Sequence, residues 1–532
     1  MKAHPERDEE TSGVTEPHDR GRNLPRVRWV NVIAGVSVAM ILIPQSLAYA
    51  ELAGVPSYIG LFASALPPIA AAFFASSPYL QTGPVAMTAL LTFGALSTIA
   101  PPFTPEYVAL AALLAIIVGV VRAAIGLLRG GIVAYLMSNP MLIGFTAGAA
   151  ILICGSQLPK ALGVENPEGT TILAKDFWTL VHPDMWNPTA IVISVLTIVL
   201  ILGGRRISPT FPGVLLAVIG ATVYSVVVDY SGPVVGEIPT GLPPFSLALP
   251  WDRVGELLVP GIVIALVGFA EAGAISRTFA AQERQRWNPN LEFLSQGAAN
   301  LASGFSGAFP VGGSFARSSI NRLAGATSKV AGAITGITVF LFLPIADVLA
   351  PLPQAVLGGI VLGAVAKLIR PDKIVAIFKD SPPQGMVALV TFAATLALSP
   401  RIDLAVLLGV GLSILVHLWR EMSTHVTTHY DDGVLRMEPS GVMFFGSTPR
   451  LAESLMTALA DHPDTRELVV DVSRLGRIDY MAAEALKGVV DEAHRAGVDA
   501  RLVGVQDHSH RILAAVFGGD SDLSGPGIGD PD

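Results

Sequence analysis

From Val30 to Trp419 the chain is a succession of apolar runs, broken by short polar stretches and by glycine and proline. The runs lie near the ~20 residues that a helix needs to cross a bilayer, some visibly shorter, and they predict about 14 spans. Their cores are 30–50, 58–75, 84–100, 107–128, 140–158, 188–203, 211–228, 257–274, 291–309, 314–326, 330–348, 353–366, 385–398 and 402–419. Past Arg420 the pattern changes. Val434–Phe445 alternates like a strand, Arg450–Ala460 repeats like an amphipathic helix, and Leu468–Val472 is a short apolar strand. Tyr480–Ala496 then reads as helix, Arg501–Val505 as strand and His510–Phe517 as helix. The expected division is a disordered tail 1–24, a membrane domain 25–422, a small α/β domain 423–518 and a Gly/Ser/Asp-rich tail 519–532.

Basic residues in the connections set the orientation. Arg20, Arg22, Arg26 and Arg28 precede the first run, Arg129 follows the fourth, and Arg205 and Arg206 follow the sixth. Arg277, Arg284 and Arg286 follow the eighth, Lys367, Arg370, Lys373 and Lys379 the twelfth, and Arg420 closes the last. All fall on one side of an even-numbered set of spans. Both termini are therefore expected in the cytoplasm of a multi-pass cell-membrane protein. The longer connections 159–187 and 229–256, with Glu165, Asp176, Glu237 and Glu256 among their acidic residues, fall on the other side.

An even count divides into halves of seven spans that start on opposite sides, as inverted repeats do. The short, glycine-interrupted segments Gln81-Thr-Gly-Pro-Val-Ala86 and Val311-Gly-Gly-Ser-Phe-Ala316 sit at matching places in the two halves, at the start of the third run of each. Paired broken helices at corresponding places mark a ligand site near the bilayer midplane, because each half-helix start leaves backbone N–H groups bare. Glycine-bearing loops without a ligand are the alternative.

Composition sharpens this picture. The chain of 532 residues is 52% hydrophobic and only 14% charged, where soluble proteins carry about a quarter charged residues. A net charge of −8 argues against nucleic acid as a partner. The single cysteine, Cys154, excludes an intrachain disulfide framework and a cysteine-based zinc cluster. No metalloprotease, phosphate-loop or nucleophile-elbow motif is present, so neither an enzyme nor a bound cofactor is expected. His425 and His429 are read as one helical turn apart, at a solvated helix end. The glycine pairs Gly144/Gly148, Gly332/Gly336 and Gly359/Gly363 are read as close helix packing.

The informative residues are polar ones inside apolar runs. Glu271 sits deep in the eighth span, where a charged carboxylate costs about 2.5–3.5 kcal/mol and needs a cavity, a partner or a proton. Arg317 follows the glycine break of the tenth span and keeps its charge, which must be matched by Glu271, by carbonyls or by a bound anion. Pro44 would free backbone groups in the first span, where Gln45 could hydrogen-bond a ligand and Tyr49 lies one turn further on.

At these residues the chain resembles the sulfate permease (SulP/SLC26) family. The most specific stretches are Ile43–Pro56, Thr82-Gly-Pro-Val-Ala86 and Phe309–Thr327, and the module after residue 423 looks like a STAS domain. The resemblance implies a 7+7 inverted-repeat α-helical membrane protein. A core domain of spans 1–4 and 8–11 would move against a gate domain of spans 5–7 and 12–14, with a cytoplasmic α/β STAS domain and usually a homodimer. It implies an anion site between the starts of spans 3 and 10. Gln45 and Tyr49 would line it, Val85 and Ala86 pack on it, Ser314, Phe315, Ala316 and Arg317 cap it, and Glu271 couple transport to an ion. Ala316 stands where some relatives have a serine, and Asp479-Tyr480-Met481-Ala482 where anti-sigma antagonists carry their phosphorylated serine.

The expected function is secondary active transport of a sulfate-like oxyanion or a dicarboxylate, by proton symport. Two half-helix starts of about +0.5 each and Arg317 balance a doubly negative anion when Glu271 is neutral. Alternatives are sodium-coupled bicarbonate transport, in which an ionised Glu271 fits a monoanion, an uncoupled anion channel, and a sensor with the STAS module as its output.

Overall fold

The computed structural model describes residues 29–518 apart from 136, 166–168, 170, 209–210, 240, 246, 422–424 and 445–447. The tails expected at 1–24 and 519–532, and the arginines at 20–28, lie outside the described residues. The chain divides into two compact units, one running to Pro371 and including Phe392–Val406, the other comprising Asp372–Thr391 and the residues from Leu407 on.

The helices up to residue 365 are α1 (Trp29–Leu52), α2 (Ile59–Phe74), α3 (Ala86–Leu96), α4 (Pro105–Leu127), α5 (Asn139–Leu162), α6 (Ile172–Val181), α7 (Pro188–Ile207), α8 (Gly213–Val228), α9 (Val254–Gln282), α10 (Pro289–Phe305), α11 (Phe315–Leu323), α12 (Val330–Phe342) and α13 (Gln354–Val365). Two-residue strands β1 (Thr82–Gly83) and β2 (Gly312–Gly313) precede α3 and α11, and α14 (Pro371–Asp380), α15 (Pro382–Ala397) and α16 (Ile402–Glu421) follow. Each predicted apolar run holds a helix. Among the described residues, seven helical stretches are long and apolar enough to cross a membrane, and α2, α3, α8, α13 and α15 are apolar but shorter. The helices α6 and α14 were not predicted, since neither has an apolar run.

Local chemistry fixes where these helices begin. Thr104, Ser138, Asn187 and Asn288 cap α4, α5, α7 and α10 with a side-chain oxygen, each followed by proline in the first turn. Packing separates two groups: α1–α4 with α9–α12, and α5, α7, α8 and α13. In the first, α4 lies against α10 through Gly119, Gly126, Gly297 and Gly304, where the opposing helix leaves no room for a Cβ. Of the glycines picked out in sequence, Gly148, Gly336 and Gly359 abut Thr395, Ala65 and Ser194, whereas Gly332 meets nothing.

The C-terminal α/β domain comprises β3 (His425–Asp431), β4 (Val434–Met443), α17 (Thr448–Asp461), β5 (Glu467–Asp471), β6 (Leu475–Ile478), α18 (Tyr480–Arg495), β7 (Asp499–Val503) and α19 (Asp507–Phe517). Its sheet order is β3-β4-β5-β7 with β6 also on β4; β3/β4 is antiparallel and the other pairs are parallel. Alternate residues Leu435 and Met437 join Leu468, Val470, Leu486 and Leu502 in its core. Strands β3 and β6 were not predicted, and β7 begins two residues before the predicted Arg501. His425 and His429 lie in strand β3, not on a helix, so their Cα atoms are about 13 Å apart. The hairpin turns on Asp432 and Gly433, both at positive φ (42° and 82°), as a two-residue turn of this kind requires.

Candidate functional site

Strands β1 and β2 pair antiparallel, Thr82 with Gly313 and Gly83 with Gly312. This short pair brings the starts of α3 and α11 together. The join is closed by Ser314 N–H donating to the Gln81 carbonyl at 3.0 Å and Gln81 N–H donating to Ser318 Oγ at 2.9 Å. Val85, at the N-cap of α3, offers no capping side chain, so the first N–H groups of that helix have no side-chain cap among the described residues. Ser314 caps α11, its hydroxyl accepting from Arg317 N–H at 3.4 Å.

The predicted site residues gather around this pair. Gln45 and Tyr49 are buried, one helical turn apart on α1, which packs against both α3 and α11. Val85 and Ala86 are buried at the start of α3, and Val85 lies 3.2 Å from the place a Cβ on Gly312 would take. Ser314 and Ala316 are half-buried. Phe315 is exposed, its ring stacked on Phe279 with centroids 5.9 Å apart. Arg317 is 1% exposed, and its Nε and Nη2 make no hydrogen bond. Glu271, in the second half of α9, is half-buried, and Arg317, Glu271 and Tyr49 lie within electrostatic range of one another. No ion pair joins Arg317 to Glu271 among the described residues; the guanidinium is held without a carboxylate.

A cavity of about 820 Å³ begins one helical turn from the site, at Leu52 and Leu90, and continues past Glu51, Lys160, Asp176 and Gln354. Glu51 at the end of α1 pairs with Lys160 of α5 and accepts from Ser57. Asp176 of α6 presses its carboxyl against Gly155, where a Cβ would force that carboxyl to move, and its Oδ1 is buried without a hydrogen-bond partner. This carboxyl lies outside the spans, and burial pushes it from the ordinary 3.8 up to about 6. Cys154 beside it is half-buried and free.

Sequence reasoning missed the residues that hold the β1–β2 pair. Glu292, Gln296 and Asn300, four apart on α10, are each fully buried. Gln296 donates to Thr82 Oγ1 at 2.8 Å, Asn300 takes both the N–H (3.0 Å) and the C=O (3.1 Å) of Val311, and Glu292 accepts from Ser77 N–H at 2.9 Å. Arg122 of α4, 0% exposed, donates to the carbonyls of Ala265, Val311 and Ile264 at 3.0, 3.0 and 3.1 Å. Charge inside an apolar run, the signal that singled out Glu271, was available for Arg122 as well.

The model of the sulfate permease family matches residues 29–391, and that of the STAS domain matches 425–517. The chain belongs to the sulfate permease family. It is 34% identical over 421 residues to a probable sulfate transporter of Mycobacterium tuberculosis, covering 77% of this chain and 73% of that one. It is 30% identical to the chloroplastic sulfate transporter 4.1 of Arabidopsis thaliana, covering 91% of this chain and 76% of that one. In fold it resembles the murine Slc26a9 anion transporter in its inward-facing state, with TM-score 0.85, 20% identity, and 93% and 88% of the two chains covered. The transmembrane domain of the cyanobacterial bicarbonate transporter BicA aligns with TM-score 0.61 and 22% identity over 74% of this chain and 98% of that one. This permease is thus a multi-pass membrane transporter of anions, not an enzyme, with a C-terminal STAS domain. At the start of α18, Asp479 caps the helix by accepting from Ala482 N–H at 2.8 Å, while Tyr480 and Met481 stand exposed.

Proposed function

We propose that the permease is a proton-coupled symporter of a doubly charged oxyanion such as sulfate, or of a dicarboxylate. The observation that carries this reading is Arg317, a fully buried cation with two unused donors beside the paired starts of α3 and α11. Such a charge inside a membrane needs a counter-ion, and helix starts supply about +0.5 each. The charges that face the anion sum to about +2, which a dianion neutralises when Glu271 carries a proton and a monoanion does not. Dianion and proton then support each other's binding, which is coupling by linkage.

The names of the sulfate-transporter relatives favour sulfate within this class. The cavity past Leu52 and Leu90 is the path from one side of the membrane, and α1–α4 with α9–α12 would carry the site against the other packing group. Glu51–Lys160 joins those groups and would have to part during that movement. The basic connections favour cytoplasmic termini, and a homodimer is the assembly proposed.

The test uses purified protein in liposomes, with uptake of sulfate, succinate and bicarbonate under an imposed proton or sodium gradient. Sulfate or succinate accumulation driven by protons alone is expected. Bicarbonate accumulation driven by sodium, without proton-driven dianion uptake, would overturn the proposal.

A further inference from the structure

We propose that Arg122 is a fixed positive charge behind the anion site, apart from the charges that face the anion, and that its field raises the preference for dianions over monoanions. This rests on the dianion reading above. The guanidinium is wholly buried and spends its donors on three backbone carbonyls, two on α9 and one on Val311 just before β2. Among the described residues no carboxylate pairs with it. An arginine cannot surrender its proton, so its charge, offset in part by the three carbonyl dipoles, stays in a low-dielectric interior where the remaining field reaches the site.

Its place is one layer behind the anion site. Gly268 of α9 opens the slot in which it lies, since a Cβ there would strike Nη2 on one side and meet Thr88 Cγ2 of α3 at 3.0 Å on the other. Gly312 follows, with Val85 and Thr88 Cγ2 at 3.2 and 3.4 Å from its Cβ position. Arg122 thus backs α9, the first turn of α3 and β2 together.

Pinning β2 does not require the charge. The Val311 carbonyl already receives Asn300 Nδ2 at 3.1 Å, and Val311 N–H is taken by Asn300 Oδ1 at 3.0 Å. The Ala265 and Ile264 carbonyls lie inside α9, whose helical ladder already supplies an N–H to each. The charge is what remains unexplained by structure, and a fixed charge acts twice as strongly on a dianion as on a monoanion.

The experiment measures sulfate and nitrate binding to the full-length protein in detergent, with thermal melting as the fold control. Arg122→Gln should lower the sulfate-to-nitrate affinity ratio by on the order of tenfold, whereas Arg122→Lys should keep it within about twofold. The lysine variant also carries a switchable charge, because a buried lysine can lose its proton. Its ratio should fall at alkaline pH more than that of the wild type, a result that stands even if Arg122→Gln fails to fold. An unchanged ratio in folded Arg122→Gln, an equal fall in both variants, or a lysine variant that tracks the wild type with pH would overturn the role of Arg122. A wild-type protein that prefers nitrate would instead overturn the dianion reading on which it rests.

Discussion

Gly83 and Arg317 meet across the joined half-helix starts: Nη2 of Arg317 lies 3.4 Å from the position a Cβ on Gly83 would take, and Gly83 holds φ at 155°. The glycine therefore does two things for the site. It permits a backbone conformation that other residues rarely adopt, and it lets the backbone run close beside the guanidinium.

Gly83→Ala is expected to cost about 1 kcal/mol of stability and to weaken sulfate binding on the order of tenfold. Melting and titration of the same purified sample check both. Wild-type affinity would show that the guanidinium does not need this backbone against it.

Arg317→Gln should abolish sulfate binding while leaving the melting temperature equal or higher. No hydrogen bond from Nε or Nη2 is lost, and an unpaired buried charge is removed. Arg317→Lys keeps the charge without the planar fork and should retain weak binding. Normal sulfate uptake by the glutamine variant would make Arg317 a structural residue.

Much of this was legible in the chain because the bilayer imposes a simple length and polarity rule. Each apolar run holds a helix, and the two glycine-bearing breaks fall at the β1–β2 pair. What escaped reading had no such rule behind it. Helix α6 is amphipathic and short, and β3 was hidden in a polar stretch, although Asp432-Gly433 is a hairpin signal. Glu292, Gln296 and Asn300 have the spacing of a water-facing stripe, and only the three-dimensional pairing of β1 with β2 turns that stripe into a clamp.

Asp176 gives a pH dependence of stability. Burial lifts its carboxyl to about 6, so the folded state holds the proton more tightly than the unfolded chain. Its contribution is complete below about pH 4 and is lost as pH rises through about 6. Asp176→Asn should therefore melt with the wild type at low pH and above it at pH near 8. Equal melting of the two proteins across that window would contradict the assignment.

The STAS domain contains none of the proposed site residues, the last of which is Arg317. Truncation ahead of His425, which leaves strand β3 undivided, should preserve sulfate affinity in the remaining membrane part. A changed transport rate is compatible with this. Loss of binding in a truncated protein that still melts cooperatively would place part of the site beyond the membrane domain.

Whether Glu271 carries the coupled proton is read by comparing two modes of transport in the same vesicles. Glu271→Gln imitates the protonated carboxyl, so sulfate counterflow should continue while accumulation driven by a proton gradient is lost. Wild-type protein should show both. If Glu271→Gln still accumulates sulfate against its gradient when protons alone are supplied, Glu271 is not the coupling residue and the proposed mechanism fails.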